Sequence, residues 1–308
     1  MSAVTLYKGI MPVTIHIIDA FTQTPNEGNR AGVVLDADNL NESQMQAIAA
    51  FAGYSETAFV LKPQDQSHDV YVRYFTPTKE VPICGHATIA THYFRTEELG
   101  LTQQTITAKT GAGILPVNIE HEEGAIKVVM TQSKPALGHI FTTEQRGKLL
   151  TALDISAEEL IDDLPVQVAS TGHSKIMVPM RSTETLDGLS PNMALLTELS
   201  EEVDCNGFFP FVISQEQEEF KTFGRMFAPA IGIEEDPVTG NANGPAGAYL
   251  EHYNILNFDQ DISYIGHQGI AIGKPGKVEV RLSRQPDQTI KVQIAGHAVR
   301  SGTRIFEG

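Results

Sequence analysis

The chain is poor in cysteine, poor in basic residues and free of long apolar runs. Cys84 and Cys205 are its two cysteines, too few for a disulfide framework. Lys and Arg number 22 against 38 Asp and Glu, a formal net charge of −16. Such a charge repels phosphate polymers and anionic lipid, so neither nucleic-acid nor membrane binding is expected. No stretch approaches the roughly 20 apolar residues of a membrane span. After Lys8 the first apolar run is broken by His16 and Asp19, which does not read as a cleavable signal. These absences predict a reduced, cytoplasmic protein. The same charge opposes a small acidic ligand at long range, so any bound carboxylate must be held by local donors.

The motifs of several common chemistries are missing as well. There is no phosphate loop of Walker type, no G-x-S-x-G elbow, no H-E-x-x-H and no C-x-x-C. His86 and His92 are six apart, off a single helical face, and no Cys or carboxylate is read at ligand spacing beside them. No metal is therefore expected, and no cofactor.

What the chain does have is a repeat. Arg73-x-Phe75-x-Pro77 ends one alternating stretch and is followed by Gly85-His86-Ala87-Thr88, opening an apolar helix to Tyr93. Arg225-x-Phe227-x-Pro229 ends another and is followed by Gly240-Asn241-Ala242, opening a small-residue helix to Tyr249. The spacing from Arg to Gly is 12 in the first copy (85 − 73) and 15 in the second (240 − 225). A three-residue insertion is thus expected in the acidic loop Glu234-Glu235-Asp236-Pro237. Each helix leads into a Gly-punctuated strand pair, at 113–131 and at 276–294. A strand, a Gly turn and a helix whose first amides lack partners make a local anion site. Two such sites related by pseudo-symmetry would face each other and close on one anionic ligand, a small acidic substrate.

With 308 residues the length prior is about two domains, and the repeat agrees. The expected halves are 12–132, completed by the C-terminal strand 297–308, and 133–296; residues 1–11 read as a frayed extension. In the first half Asn41, with Gln44 three residues on, reads as a capping box for a helix to Phe51 that Gly53 ends. Strands are read at 13–17, 32–35, 57–61 and 70–75, then at 105–109, 113–120 and 125–131, with a Glu122-Glu123-Gly124 turn before the last. The segment 133–138 reads as the crossing to the second half. There, helices are expected after Thr143, after Ser156 in a capping box with Glu159, and from Ser190-Pro191. Strands are read at 166–170, 175–179, 208–214 and 221–227, then in short pieces to Phe306. Many strands and one long apolar helix per half make an α/β (α+β) fold, each half a curved sheet wrapped around its helix.

Glu56 sits at a helix-to-strand corner in Ser55-Glu56-Thr57, where a lone carboxylate reads first as a solvated loop group. Cys84 sits just before a helix N-terminus, where a thiolate is stabilised. Cofactor-free racemases use two such thiols, one per half. The partner position of Cys84 is Thr239, whose hydroxyl is no base near neutral pH, which argues against two-thiol chemistry and for Cys84 as a packed side chain.

Six motifs in order carry a resemblance: Ile18-Asp19-Ala20-Phe21-Thr22, Gly28-Asn29, Ser55-Glu56-Thr57-Ala58-Phe59, Gly85-His86-Ala87-Thr88, Asp236-Pro237-x-Thr239-Gly240, and Gln268-Gly269-x-x-x-Gly273-x-Pro275-Gly276. Together the chain resembles the phenazine-biosynthesis (PhzF-like) isomerase family, which shares the fold of diaminopimelate epimerase and proline racemase. The resemblance implies two pseudo-symmetric domains, each a curved, mostly antiparallel sheet around a central helix, with the active site in the cleft between them. It implies Glu56 as general acid/base, with His86 and Asp236 as the other polar site residues. Ser55, Gly85, Thr239, Gly240 and Asn241 would hold substrate. The implied reaction is a cofactor-independent proton shift between carbons of a small unsaturated or cyclic carboxylic acid. Asn241, Arg30 and Lys274 depart from the family's usual Ser, Pro and Arg. Family members are often homodimers. Two rival readings stand beside this one: an epimerase using Cys84, and a non-catalytic binder of small acids.

Overall fold

The computed structural model describes residues 11–102, 104–122, 124–216 and 219–308. The expected frayed extension therefore lies outside the described residues apart from Met11, and so does Glu123 of the expected 122–124 turn. Six α-helices occur among the described residues: α1 Glu42–Ala52, α2 Gly85–Leu99, α3 Thr143–Leu153, α4 Thr183–Gly188, α5 Met193–Val203 and α6 Gly240–His252. The chain divides into two compact units. One runs to Met130 and takes in Gly296–Gly308, and the other is Thr131–Ala295.

In the first unit Val13–Ala20 pairs antiparallel with Asn29–Val34 on one side and with 298–306 on the other. The order continues through Thr57–Leu61, Val70–Phe75, Thr105–Thr110, Gly113–Glu122 and Ala125–Thr131. The last of these pairs with the C-terminal strand Ile290–Phe306, which closes the sheet on itself. Inside runs α2, buried at every position from His86 to Thr96. A helix buried on all sides has to be surrounded, and the closed sheet does this.

The second unit repeats the pattern with different residues. Its strands follow the order Gln167–Ser170, Ser174–Met180, Phe208–Glu216, Glu219–Gly224, Asp261–Gln268, Gly276–Arg284 and 290–295. Their pairings run antiparallel, parallel, antiparallel, parallel, antiparallel, antiparallel. The first unit shows the same succession from Val13–Ala20 onward. The central helix here is α6, buried from Ala242 to Leu250. Its sequence is a poor helix former, with three glycines and Pro245 in thirteen residues. Burial overrides propensity, and small residues let other groups come close. A Cβ on Gly244 would lie 1.7 Å from Gln132 Oε1, and one on Gly266 would lie 2.0 Å from Asn243 Oδ1.

The repeated arginines do matching work. Arg73 forks onto Glu80 (2.6 and 2.7 Å) and reaches Glu42 in the first turn of α1 (2.8 Å). Arg225 forks onto Glu235 (2.7 and 2.9 Å) and donates to the carbonyls of Leu186, Asp187 and Leu189 around the end of α4. Each guanidinium also lies about 5 Å over the Phe two residues on. From Arg to Glu is 7 residues (80 − 73) or 10 (235 − 225), and from Glu to Gly is 5 in both (85 − 80; 240 − 235). The three extra residues therefore lie before Glu235, where the chain makes the 3-10 turn Pro229–Ile231. This corrects the expected position in the acidic loop, most of which is the strand Ile233–Asp236.

Other local expectations shift for identifiable reasons. Asn41 and Gln44 form the capping box of α1, and Gly53 ends it in the left-handed region. The third helix is capped by Thr142, one residue earlier than read. The α5 helix begins at Met193 because the Asn192 carboxamide accepts from the amides of Ala194 and Leu195, leaving Ser190-Pro191 ahead of it. Ser156 caps nothing and opens only a 3-10 turn. The strand Ala136–Ile140 lies in the supposed crossing; it is largely exposed and pairs with Gln167–Ser170, so no apolar alternation announces it. The stretch read as 221–227 breaks at Arg225 into Glu219–Gly224 and Met226–Ala228.

Arg30, the departure beside Gly28-Asn29, is structural. Its guanidinium forks onto the buried Asp19 (2.7 and 3.0 Å) and onto Asn26 Oδ1 (2.8 Å). Burial alone would raise the Asp19 pKa, but hydrogen bonds from Arg30, Ser301 and the Asn26 amide outweigh it and hold the carboxyl below its usual range. A depressed carboxyl contributes stability above its unfolded-state pKa and loses it as pH falls through the folded-state value. Asp19→Asn is expected to lower stability at neutral pH and to flatten its decline between about pH 5 and pH 1, read from urea midpoints; an unchanged decline would remove Asp19 as a source.

The two arginine clamps differ in burial, and so in cost. Arg225 and Glu235 side chains are 8% and 11% exposed, whereas Arg73 and Glu80 are 16% and 35% exposed. Arg225→Met should cost about 3–5 kcal/mol, since it strands a buried carboxylate. Arg73→Met should cost only about 1 kcal/mol. Equal losses in urea unfolding would contradict this account.

Candidate active site

The structure groups the expected site residues into two clusters, one in each unit. In the first unit, α1 ends at Gly53 and the chain turns through Ser55 into the strand Thr57–Leu61. The Gly32 amide donates to the Glu56 carbonyl at 3.1 Å, which fixes the backbone of the corner. Glu56 Oε2 lies 3.4 Å from His86 Nε2, with its side chain 15% exposed. Ser55 Oγ is 3.3 Å from the same ring nitrogen. Cys84 Sγ is 3.3 Å from His86 Nδ1, so the imidazole touches both the thiol and the carboxylate. Glu56, Cys84 and His86 each offer an atom within 4.8 Å of the others. The expectation that no Cys or carboxylate stands at ligand spacing beside His86 therefore fails in three dimensions. The ring bridges a neighbour two residues away and one thirty residues upstream. His92 has no part in this cluster: it is fully buried, its pKa pushed down to about 3 by burial and then by Arg95.

No side chain caps α2 at Cys84, and none caps α6 at Thr239. By contrast α1, α3 and α5 are capped by Asn41, Thr142 and Asn192. The first-turn amides at Gly85 and Gly240 are thus left to water or to a ligand. Both helices fix their starts another way, by a side chain four residues on that donates to the carbonyl at the start. Thr88 Oγ1 donates to the Cys84 carbonyl at 2.7 Å, and Asn243 Nδ2 donates to the Thr239 carbonyl at 3.0 Å. Tyr74 Oη lies 2.8 Å from Thr88 Oγ1.

In the second unit Gln268 takes the place of that tyrosine. Its Oε1 accepts from the Thr239 amide (3.0 Å) and from Asn243 Nδ2 (3.1 Å). Its Nε2 donates to the Asp236 carbonyl (2.8 Å) and to Thr239 Oγ1 (3.1 Å). The Thr239 hydroxyl in turn donates to the Asp236 carboxylate. Asn241 is oriented by Gln132, whose Nε2 donates to Asn241 Oδ1 (3.1 Å) and to the Gly240 carbonyl (3.3 Å). Thr171 Oγ1 donates to Gln132 Oε1 at 2.6 Å, which fixes the amide's sense. With its oxygen engaged, Asn241 presents an NH₂, a donor where the family's usual serine has a hydroxyl. Lys175 lies buried nearby; burial pushes its pKa down, and the charges of Cys205 and Asp236 oppose that shift.

Gln132, Gln268, Asn243, Thr88 and Tyr74 were not singled out from the sequence. Gln268 sat inside a quoted motif, and Asn243 and Thr88 share the fourth position after a repeat N-cap, a signal that aligning the two repeats would have exposed. Gln132 and Tyr74 carry no local signal. Two hollows, of about 970 Å³ beside Tyr93, Glu97 and His297 and of about 600 Å³ beside Arg146 and Arg181, are lined by none of the expected site residues.

Comparison with known proteins identifies the fold and the family. A hydroxyproline epimerase from Agrobacterium vitis superposes with a TM-score of 0.64 at 13% identity, over 96% of this chain and 91% of its own. A PhzF-family protein from Bacillus anthracis superposes at 0.88 with 33% identity, over 96% and 99%. The fold is thus the epimerase and racemase α/β fold. A profile for phenazine biosynthesis-like proteins (PhzC-PhzF) matches residues 18–304. The isomerase YddE of Escherichia coli K12 is 48% identical over 290 residues, 94% of this chain and 96% of its own. A trans-2,3-dihydro-3-hydroxyanthranilate isomerase of Pseudomonas chlororaphis is 31% identical over 294 residues, 93% and 96%. The chain belongs to the phenazine biosynthesis-like protein family. It is an isomerase, and the reading as a non-catalytic binder falls away. Among the described residues no helix is long and apolar enough to cross a membrane.

The Gln268 network gives a direct test of what holds Asp236 and Thr239 in place. Gln268→Leu removes the partner of the half-buried Thr239 amide and Asp236 carbonyl, and should cost about 2 kcal/mol in urea unfolding; a loss below about 0.5 kcal/mol would show that water replaces the carboxamide freely.

Proposed function

We propose that the protein is a cofactor-independent isomerase that moves a proton between two carbons of a small unsaturated or cyclic carboxylic acid. Glu56 is the proton carrier. Its carboxylate takes the proton from one carbon, the electron pair delocalises toward the substrate carboxylate, and the proton is returned to another carbon. His86, with Ser55, orients the glutamate or relays its proton. The amides at Gly85 and Gly240 and the NH₂ of Asn241 hold the carboxylate and the charge that develops on it, each donor worth about 2.7–4 kcal/mol of barrier. Asp236 and Thr239 position a polar ring substituent. The observation that carries the reading is the placement of a largely shielded glutamate beside His86, at the start of a helix that no side chain caps. The Pseudomonas relative, an isomerase of a hydroxylated ring carboxylic acid, supports the substrate class.

A second reading, epimerisation through Cys84, has one observation in its favour, the thiol 3.3 Å from His86 Nδ1. Against it, Thr239 at the equivalent position spends its proton on the Asp236 carboxylate.

The test begins with thermal-shift screening of cyclic unsaturated carboxylic acids, trans-2,3-dihydro-3-hydroxyanthranilate among them. Hits are then followed by proton NMR in deuterium oxide. Glu56→Gln should bind the same acids while losing turnover by roughly 10²–10⁴-fold, whereas Cys84→Ala should retain it. Near-normal turnover in Glu56→Gln removes Glu56 from the reaction, and loss in Cys84→Ala alone transfers the chemistry to the thiol.

A further inference from the structure

We infer that Glu56, Cys84 and His86 bind a zinc-type divalent cation, and that the bound ion switches the isomerase off. A tetrahedral ion with bonds of about 2.0 Å to nitrogen or oxygen and 2.3 Å to sulfur sets its ligands about 3.3–3.5 Å apart. Glu56 Oε2 and His86 Nε2 already stand 3.4 Å apart. Cys84 Sγ stands 4.0 Å from the same nitrogen and 3.3 Å from Nδ1, so the thiol and the ring turn toward a common point when all three share an ion. Nε2 is the ring atom within reach of both partners. The donor set of one thiolate, one imidazole and one carboxylate suits zinc, whereas magnesium and calcium take oxygen alone. Three protein ligands leave a fourth position open, as exchangeable zinc sites do.

Charge and support also fit. On binding, the Cys84 S–H bond breaks, its proton goes to solvent, and the sulfur bonds to the ion. Thiolate and carboxylate then cancel the two positive charges, which offsets the unfavourable dipole at the start of α2. Cys84 and His86 are 9% and 7% exposed, so the ligands are shielded from competing water. Their backbones are already held, that of Cys84 by Thr88 and that of Glu56 by Gly32. A net charge of −16 draws cations toward the molecule as it repels the acidic substrate. The switch rests on the reading of Glu56 as proton carrier, because a carboxylate bound to metal cannot accept a proton from carbon. The binding site does not rest on it.

Titration of the full-length protein with cobalt(II) separates the two claims. One equivalent should produce the intense thiolate-to-cobalt absorption band, and zinc(II) should abolish it by displacement. Cys84→Ala should lose the band, and Cys205→Ala should keep it, Cys205 being buried elsewhere. His86→Gln and Glu56→Gln should each weaken cobalt binding at least tenfold. No band in the wild type, or a band that survives Cys84→Ala, overturns the site. In the deuterium-exchange assay one equivalent of zinc(II) should suppress turnover at least tenfold, with recovery on chelation. Full turnover with the band present overturns the switch. If Glu56→Gln turns over normally, the proton-carrier reading fails, while the cobalt band still decides the site.

Discussion

The starts of α2 and α6 have no side-chain cap, and this is the constraint on which the rest of the structure depends. A helix begins with four amides that lack intrahelical partners. In α1, α3 and α5 a side chain at the N-cap answers for part of that deficit. In α2 and α6 the N-cap residues are Cys84 and Thr239, which do not. The open amides must nevertheless be held still, and the fold does this from outside the cap. An arginine clamps the glutamate five residues ahead of each glycine, and a side chain four residues past each N-cap ties down its carbonyl. The first turn is therefore rigid and unsatisfied at once, which is the condition for preorganised binding of an anion.

The two units solve this problem with the same topology and different chemistry. The first surrounds its helix start with groups that titrate, Glu56, His86 and Cys84. The second surrounds its own with carboxamides and hydroxyls, Gln132, Asn241, Asn243, Gln268 and Thr239, around the single carboxylate Asp236. In the first set a carboxylate sits against an imidazole, the pairing on which the proposed acid/base role rests. The second set is built to donate, and its carboxamides are locked by carbonyls and amides whose roles are unambiguous. That asymmetry on a symmetric scaffold favours one proton carrier over a matched pair, and separates this chain from the two-thiol arrangement its fold could accommodate.

Several residues that look anomalous in sequence become ordinary once neighbours are known. Arg30 fills a buried fork on Asp19, and Asn241 offers an NH₂ because Gln132 occupies its oxygen. The glycines and proline of α6 are tolerated because the helix is enclosed and because larger side chains at Gly244 or Gly247 would collide with Gln132 or Val280. In each case a departure from local preference is compensated by a contact far away in the chain.

The sequence by itself determined the repeat, the fold class and the central helices, since periodicity, glycine stops and the Asn41 capping box are local and leave local marks. It also singled out Glu56, His86, Gly85, Gly240 and Asn241, through motifs whose order identifies a family. Only the tertiary structure decided which atoms meet. Cys84 and Glu56 converge on one imidazole, the insertion falls before Glu235, and Gln132 and Gln268 lock the second cluster. Those contacts join residues from 2 to more than 100 positions apart, and nothing in a linear pattern records which strand a chain will return beside.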